Sequence, residues 1–160
     1  MIRISIICVG KIKEKYWLDA IAEYSKRLSR YCKLSIIEVA DEKTPDEASE
    51  AECNIIKQKE AERIIKKLEN GALVCTLEIS GKRFTSEGFA DFLQTSAARG
   101  ASHIQFVIGG SLGLHHSVLE RSNLGISFSD MTFPHQMMRV ILLEQVYRSY
   151  RIINGEPYHK

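Results

Sequence analysis

The feature that most constrains this chain is a regular alternation of short apolar runs and longer amphipathic segments over 160 residues. Apolar runs of this length, rich in β-branched side chains, are typical of buried strands, and apolar residues at three- and four-residue spacing are typical of helices. Their alternation predicts an α/β fold with a largely parallel sheet flanked by helices on both faces. We expect strands at 2–9, 34–39, 73–79, 104–108 and 124–128.

The segments between these strands predict five helices. Helical spacing starts at Trp17, and a long charged helix follows Cys53. Thr85 or Ser86 opens a third helix and Gly100 closes it, because small hydroxyl residues cap helix starts and glycine favours helix ends. A turn is predicted at 81–82, a short helix near 117–121 and a final helix at about 136–153. No repeat or linker-like stretch interrupts the pattern, so we expect a single domain over residues 1–160.

Composition excludes several classes of protein. No apolar run approaches the roughly twenty residues of a membrane helix, and the first lysines follow the first apolar stretch, unlike in a signal peptide. We therefore expect a cytoplasmic protein without membrane contact. The four cysteines lack C-x-x-C spacing, which favours buried reduced thiols over a zinc site. The net charge is only +2, but the first 33 residues carry eight Lys/Arg against three Asp/Glu, which permits a phosphate-facing patch.

The strand at 104–108 runs into a glycine-rich turn, Gly109-Gly110-Ser111-Leu112-Gly113. Glycine lets backbone approach a ligand closely, although such a turn is as often only a tight connection to a helix. The segment completes neither a Walker loop nor a G-x-G-x-x-G fingerprint. Asp130 lies about twenty residues beyond Gly109, as in dinucleotide folds, which leaves a small nucleotide-dependent oxidoreductase as a weak alternative.

The polar loop at 129–136 leads through Pro134 into the final helix, whose first amides have no partner within the helix. Such amides can bind an adenine edge or a carboxylate; a plain helix cap is an equal alternative. His103, His115, His116 and His135 lack metal-ligand spacing, so we interpret them as capping or surface residues and expect no metal.

The final helix is apolar on most faces, which indicates either deep burial or packing on a second subunit; we favour a homodimer. Arg139, Arg148 and Arg151 fall among these apolar positions and could be structural or could bind phosphate. Beyond this helix, terminal residues are usually frayed. Tyr158 and His159, however, have the chemistry to stack on a base and to accept a proton near neutral pH.

Several segments together resemble the RlmH family of SPOUT methyltransferases, and the resemblance runs from the first strand to the last residue. They are CVGKIKEKYW, TLEISGKRFTSEGFA, FVIGGSLGLH, SFSDMTFPHQMMRVILLEQVYR and the closing PYHK. The resemblance implies a dimer with a C-terminal trefoil knot, a rare exception to the rule that chains do not thread loops. It also implies methyl transfer from S-adenosylmethionine to N3 of pseudouridine 1915 of 23S ribosomal RNA in the assembled ribosome.

The resemblance also implies site residues. The cofactor contacts would be Leu77, Gly109, Phe128, Ser129, Asp130, Met131, Thr132 and Phe133. Our mechanistic hypothesis is in-line attack by the base nitrogen, with His159 as the general base, Arg139 stabilising developing charge and Tyr158 placing the nucleotide. A non-catalytic RNA-binding or ribosome-associated module is the main alternative, and it would have no use for the cofactor loops.

Overall fold

The computed structural model describes residues 1–160, and strands alternate with helices along the whole chain. The strands are β1 (Arg3–Val9), β2 (Lys33–Val39), β3 (Leu73–Arg83), β4 (His103–Ile108) and β5 (Leu124–Ser127). The helices are α1 (Lys15–Leu28), α2 (Glu50–Ile65), α3 (Ser86–Ala98), α4 (His116–Arg121) and α5 (His135–Ile153). Thr85 caps α3 by accepting a hydrogen bond from the Gly88 amide, at 3.0 Å, as the sequence predicted.

The five strands form one sheet in the order β2-β1-β4-β3-β5, and all four pairings are parallel. The predicted α/β fold with a parallel sheet is therefore confirmed. The carboxyl ends of all strands meet at one edge of such a sheet, which we call the carboxyl edge, and ligands of α/β proteins bind there. The C-terminal trefoil knot stays a prediction.

Two apolar cores lie on opposite faces of the sheet. One core joins alternate residues of β1 and β4 to α1, α3 and α5, with Phe89, Phe106 and Leu142 at its centre. The smaller core packs α2 and α4 on the other face, through residues such as Ile64 and Val118. The connections after the adjacent strands β3 and β4 thus leave on opposite faces, with α3 on one and α4 on the other, which favours a crevice at the carboxyl edge.

The turn predicted at Gly81 and Lys82 is wrong, because β3 continues through both residues to Arg83. Its pairing with β5 shifts register between Leu77 and Lys82. A Cβ at Gly81 would lie 2.6 Å from backbone atoms of Gly125 and Ile126, so glycine is needed there for the close approach of two strands rather than for a turn.

The cysteine prediction is confirmed for Cys8, Cys32 and Cys75, which are buried free thiols. Burial raises the pKa of the Cys8 and Cys75 thiols to about 12 and that of Cys32 to about 11, so none is an active thiolate. None of the five helices is both long enough and apolar enough to cross a membrane.

Candidate active site

A cavity of about 700 Å³ opens at the carboxyl edge, next to the middle of β3 and the ends of β4 and β5. Its size lies within the range of small-molecule sites. Three segments enclose it: residues 77–79 within β3, the glycine turn after β4, and the loop between β5 and α5. Ile108, Ile126 and Met138 add apolar side chains to the wall.

Seven of the eight predicted cofactor contacts line this cavity, although they come from three separate parts of the chain. They are Leu77, Gly109, Phe128, Ser129, Met131, Thr132 and Phe133. Asp130 is the exception, because its side chain is 72% exposed and pairs with the Arg83 guanidinium. An aspartate in that position does not serve as the ribose contact of a dinucleotide fold, so the structure does not support the oxidoreductase alternative.

The glycine turn folds back on itself and leaves the cavity open. The Gly113 amide donates to the Gly110 carbonyl at 3.1 Å, and Gly113 has a φ of +84°, which favours glycine. A Cβ on Gly109 would lie 3.0 Å from the Gly113 backbone. A larger residue at position 109 would therefore push the two ends of the turn apart.

A buried carboxylate, which the sequence analysis missed, supports the glycine turn from behind. Glu60 of α2 is 5% exposed, and a Cβ on Gly110 would lie 3.1 Å from its Oε1 atom. Burial raises the pKa of Glu60, while a hydrogen bond of 3.0 Å from the Glu42 amide opposes that rise. Nothing in the charged pattern of α2 marks this glutamate as the buried one, because the contact depends on tertiary packing.

Glu78 is the only charged residue among the side chains that line the cavity, and no lysine or arginine lines it. The Thr76 hydroxyl donates to the Glu78 carboxylate at 2.7 Å and orients it. A polyphosphate would meet a carboxylate and no positive charge here. The cavity instead suits a ligand with an apolar body and a cationic centre.

His135 lines the cavity as the first residue of α5, so our interpretation of it as a capping or surface residue is wrong. Its Nδ1 atom is buried without a hydrogen-bond partner. Burial, followed by the charge of Arg139, lowers the pKa of this imidazole, which is therefore neutral at pH 7. The position of His135 directly after Pro134 at a strand-end loop was the only available sequence signal.

For the other three histidines, the predicted capping or surface position is confirmed at two and wrong at one. His115 caps α4, accepting a hydrogen bond from the Ser117 amide at 3.2 Å, and His116 is exposed, as predicted. His103 is 3% exposed within β4 and bonds to Ser5 at 2.7 Å, so it is a core residue instead. No group of three or more His, Cys, Asp or Glu side chains is arranged to hold a metal ion.

The C-terminal tail, residues 155–160, lies apart from the cavity of its own chain and is firmly anchored. The Tyr158 hydroxyl donates to Glu144 at 3.1 Å, and the Arg148 guanidinium lies over the Tyr158 ring, 4.7 Å from its centre. Burial, with Glu144 next, raises the pKa of Tyr158 to about 12. Upstream, Glu156 accepts a 2.5 Å hydrogen bond from Tyr31 and pairs with Arg151. The tail is therefore not a frayed terminus.

His159 is held between two charged side chains. Its Nδ1 atom lies 3.1 Å from Arg148 Nη1, and its Nε2 atom lies 2.7 Å from Glu87 Oε1. A guanidinium can only donate, so Nδ1 is the acceptor and Nε2 carries the proton given to Glu87. The first cause of a lowered pKa at Glu87 is its own backbone amide, and the second is this hydrogen bond from His159.

Arg139 is 1% exposed and does not line the cavity. Its guanidinium donates to Glu38 Oε2 at 2.6 Å, to the Gly10 carbonyl at 2.7 Å and to the Val9 carbonyl at 3.3 Å. These bonds join α5 to the ends of β1 and β2. Their geometry makes Arg139 part of the scaffold that positions the site, and it does not place Arg139 in contact with a reacting base.

Comparison with known proteins identifies the family of this chain. A family described as "Predicted SPOUT methyltransferase" matches residues 2–159. The chain is 62% identical to a protein of Clostridium botulinum (strain Kyoto / Type A2) named "Ribosomal RNA large subunit methyltransferase H", over 98% of this chain and 99% of that protein. It is 57% identical, with the same coverage of both chains, to a protein of the same name from Clostridium beijerinckii.

A solved structure from Haemophilus influenzae Rd KW20, described as a probable methylase family protein, has the same fold. It superposes with a TM-score of 0.53 at 14% identity, covering 99% of this chain and 70% of that one. Together with the match over residues 2–159 and the high identity to the clostridial proteins, this shows that the chain belongs to the SPOUT methyltransferase family and, within it, to the RlmH family.

Proposed function

We propose that this protein transfers a methyl group from S-adenosylmethionine to N3 of a pseudouridine in 23S ribosomal RNA of the assembled ribosome. It does so as a homodimer in the cytoplasm. The observation that carries the proposal is the cavity at the carboxyl edge, where three segments of the chain bring seven predicted cofactor contacts together around one carboxylate.

The cavity residues fit S-adenosylmethionine by size and by charge. Leu77, Phe128 and Phe133 offer apolar surface for the adenosine, and the Glu78 carboxylate favours a positive sulfonium. A neutral His135 adds no opposing charge. When bound, the cofactor supplies an electrophilic methyl group to an attacking nitrogen. The chain itself must then position that nitrogen and remove its proton.

The RNA substrate is inferred from the names of the relatives, which are ribosomal RNA large subunit methyltransferases. Tyr158 is proposed to stack on the target base, and His159 to take the N3 proton through Nδ1. Because Arg148 donates to Nδ1 in the structure, that hydrogen bond must be given up when the base arrives. The Arg148 charge would then remain near the developing negative charge on the ring.

A homodimer explains why the tail and the cavity are separate in one chain. Tyr158 and His159 bond to α3 and α5 and do not line the cavity of their own protomer. Apolar residues of α5 also stay partly exposed, among them Met137, Val140 and Ile141. We propose that these residues pack on a second copy, whose tail then completes the site.

The test is transfer of labelled methyl from S-adenosylmethionine to intact ribosomes that lack the modification, with free ribosomal RNA and separated subunits in parallel. Incorporation at a pseudouridine of 23S RNA in assembled ribosomes alone supports the proposal. Tight cofactor binding without methyl incorporation into ribosomes, subunits or free RNA would overturn the proposed substrate and leave the proposed cofactor standing. No cofactor binding would favour a non-catalytic RNA-binding module.

A further inference from the structure

The loop between β1 and α1, residues 10–14, touches the wall of the cavity. Gly10 begins this loop with a φ of +93°, and a Cβ there would lie 3.3 Å from the His135 Cε1 atom. His135 itself lines the cavity. The loop therefore lies directly behind the cavity wall, at the same edge of the sheet.

The ion pair between the buried Arg139 and the partly exposed Glu38 holds this loop in place. Arg139 donates to the Gly10 carbonyl at 2.7 Å, and Glu38 Oε2 accepts from the Ile12 amide at 3.0 Å. Ile12 is 3% exposed, so its side chain anchors the centre of the loop in the fold. The residues on either side of Ile12 are consequently displayed from a fixed backbone.

Those flanking residues are basic and have no acidic partner. Lys11 and Lys13 are both exposed, and neither ammonium has a carboxylate within 4.0 Å. Lys15 differs, because it pairs with Asp19 at 2.5 Å. The ring of Tyr16 is 65% exposed and packs edge-on against Trp17, with centroids 5.1 Å apart.

The neighbouring loop limits the direction in which a polyanion can approach. The connection between β2 and α2 is net acidic: Asp41, Asp46 and Glu47 are exposed against one exposed lysine, Lys43, and Glu42 pairs with Arg63. A phosphate backbone is repelled on that side and attracted on the side of Lys11 and Lys13. An exposed tyrosine beside unpaired lysines is the combination that binds single-stranded nucleic acid, through base stacking and phosphate contacts.

From this geometry we infer that Lys11, Lys13 and Tyr16 form a contact surface for single-stranded ribosomal RNA next to the target nucleotide. The lysines bind backbone phosphates, and the Tyr16 ring stacks on an unpaired base. This inference rests on the proposed function and names the part of the protein that docks its substrate. It also gives the Arg139–Glu38 pair a role, which is to fix the docking loop relative to the cavity.

The test compares two charge reversals of equal size. Lys11→Glu with Lys13→Glu removes the surface, whereas Lys66→Glu with Lys67→Glu changes the same charge just beyond the end of α2, at the opposite edge of the sheet. The first variant is expected to raise the KM for ribosomes roughly tenfold or more, and to lower the slope of log KM against log salt by about 1 to 2. The control should change neither quantity appreciably. Both variants should keep wild-type affinity for S-adenosylmethionine and wild-type thermal stability.

Equal rises in KM for the two double variants, or no rise for either, would overturn the inference. Co-sedimentation with ribosomes separates this outcome from failure of the proposed function, because it requires no methyl transfer. If wild-type protein binds ribosomes and the Lys11/Lys13 variant does not, the proposed RNA contact surface is supported even when no methyl is incorporated. Tyr16→Ala should raise KM severalfold, while Tyr16→Phe, which keeps the aromatic face, should not.

Discussion

The cavity and the C-terminal tail depend on different interactions. Backbone turns and apolar side chains enclose the cavity, and Glu78 is its only charged residue. The tail is held by charged side chains: Glu156 accepts from Tyr31 and pairs with Arg151, Tyr158 donates to Glu144, and His159 lies between Arg148 and Glu87. The cavity is therefore suited by charge to a small cationic molecule, and the proposed function assigns to the tail the groups that orient a base and accept a proton.

Under the proposed function, the cavity binds the cofactor and the tail removes the proton. Substitutions in the cavity should weaken cofactor binding, and substitutions in the tail should slow turnover while leaving the cofactor affinity intact. The two regions also lie apart in one chain, and under the proposed function they meet across a dimer. Each of the following predictions tests the role of the cavity, of the tail or of the scaffold that joins them.

The largest expected effect is on the tail. His159→Ala should lower kcat by roughly 100-fold or more, the usual cost of losing a general base, with S-adenosylmethionine affinity unchanged. Single-turnover kinetics and calorimetric titration of the cofactor measure the two quantities. His116→Ala, at an exposed position on α4, is the control and should match wild type. Parallel losses of turnover and cofactor affinity would make His159 a structural residue.

The reciprocal change is Gly109→Val in the cavity. Its side chain would meet the Gly113 backbone and Leu114, so the turn must open or the cavity must fill. Overpacking of about 2 kcal/mol corresponds to roughly thirtyfold weaker binding of S-adenosylmethionine. Titration of the variant measures this loss. Unchanged cofactor affinity would show that the ligand does not occupy this cavity.

A smaller effect tests whether Arg139 belongs to the scaffold. Glu38→Ala leaves the buried guanidinium without its carboxylate, and because Glu38 is 36% exposed, water reduces the cost to about 1–2 kcal/mol of unfolding free energy. Urea denaturation measures it. Asp19→Ala removes the exposed pair with Lys15 and should change stability far less. Equal stability of Glu38→Ala and wild type would argue against the scaffold role.

The smallest effect is a pH dependence in the cavity. Since the pKa of His135 is lowered below its ordinary value of about 6.5, the imidazole is neutral at pH 7 and gains charge only as the pH falls. That charge repels a sulfonium, so S-adenosylmethionine affinity should drop about threefold to tenfold between pH 7 and pH 5. His135→Gln should flatten this profile, and His116→Gln should retain it. A profile unchanged by His135→Gln would remove the imidazole from the ligand's surroundings.

Much of the fold was predictable because the spacing of apolar residues within a short segment distinguishes a strand from a helix. The five strands and the cap of α3 at Thr85 follow from residue types within a few positions of one another. The continuation of β3 through Gly81 was not predictable, because glycine followed by lysine is typical of a turn. Here the glycine is required by the close approach of β5, a neighbour more than forty residues away in sequence.

The cavity was predictable in outline and its electrostatics were not. Loops at the carboxyl ends of parallel strands must gather, and the family resemblance named the residues on them. The neutral state of His135 depends on burial and on the charge of Arg139, and the buried position of Glu60 depends on packing against Gly110. Arg139 illustrates the same limit, because an arginine on an apolar helix gives no sign of whether it contacts phosphate or backbone carbonyls.

The most direct test of the central claim, that cavity and tail meet across the dimer, is complementation between two inactive variants. Gly109→Val and His159→Ala protomers are unfolded together, refolded as a mixture and assayed for methyl transfer to ribosomes at a cofactor concentration near the wild-type Kd, at which Gly109→Val alone binds little cofactor. Random pairing makes half of the dimers mixed, and each mixed dimer keeps one intact cavity facing one intact tail, so activity should recover to about a quarter of wild type. A mixture as inactive as its two components would mean that each chain uses its own tail, and it would contradict the account.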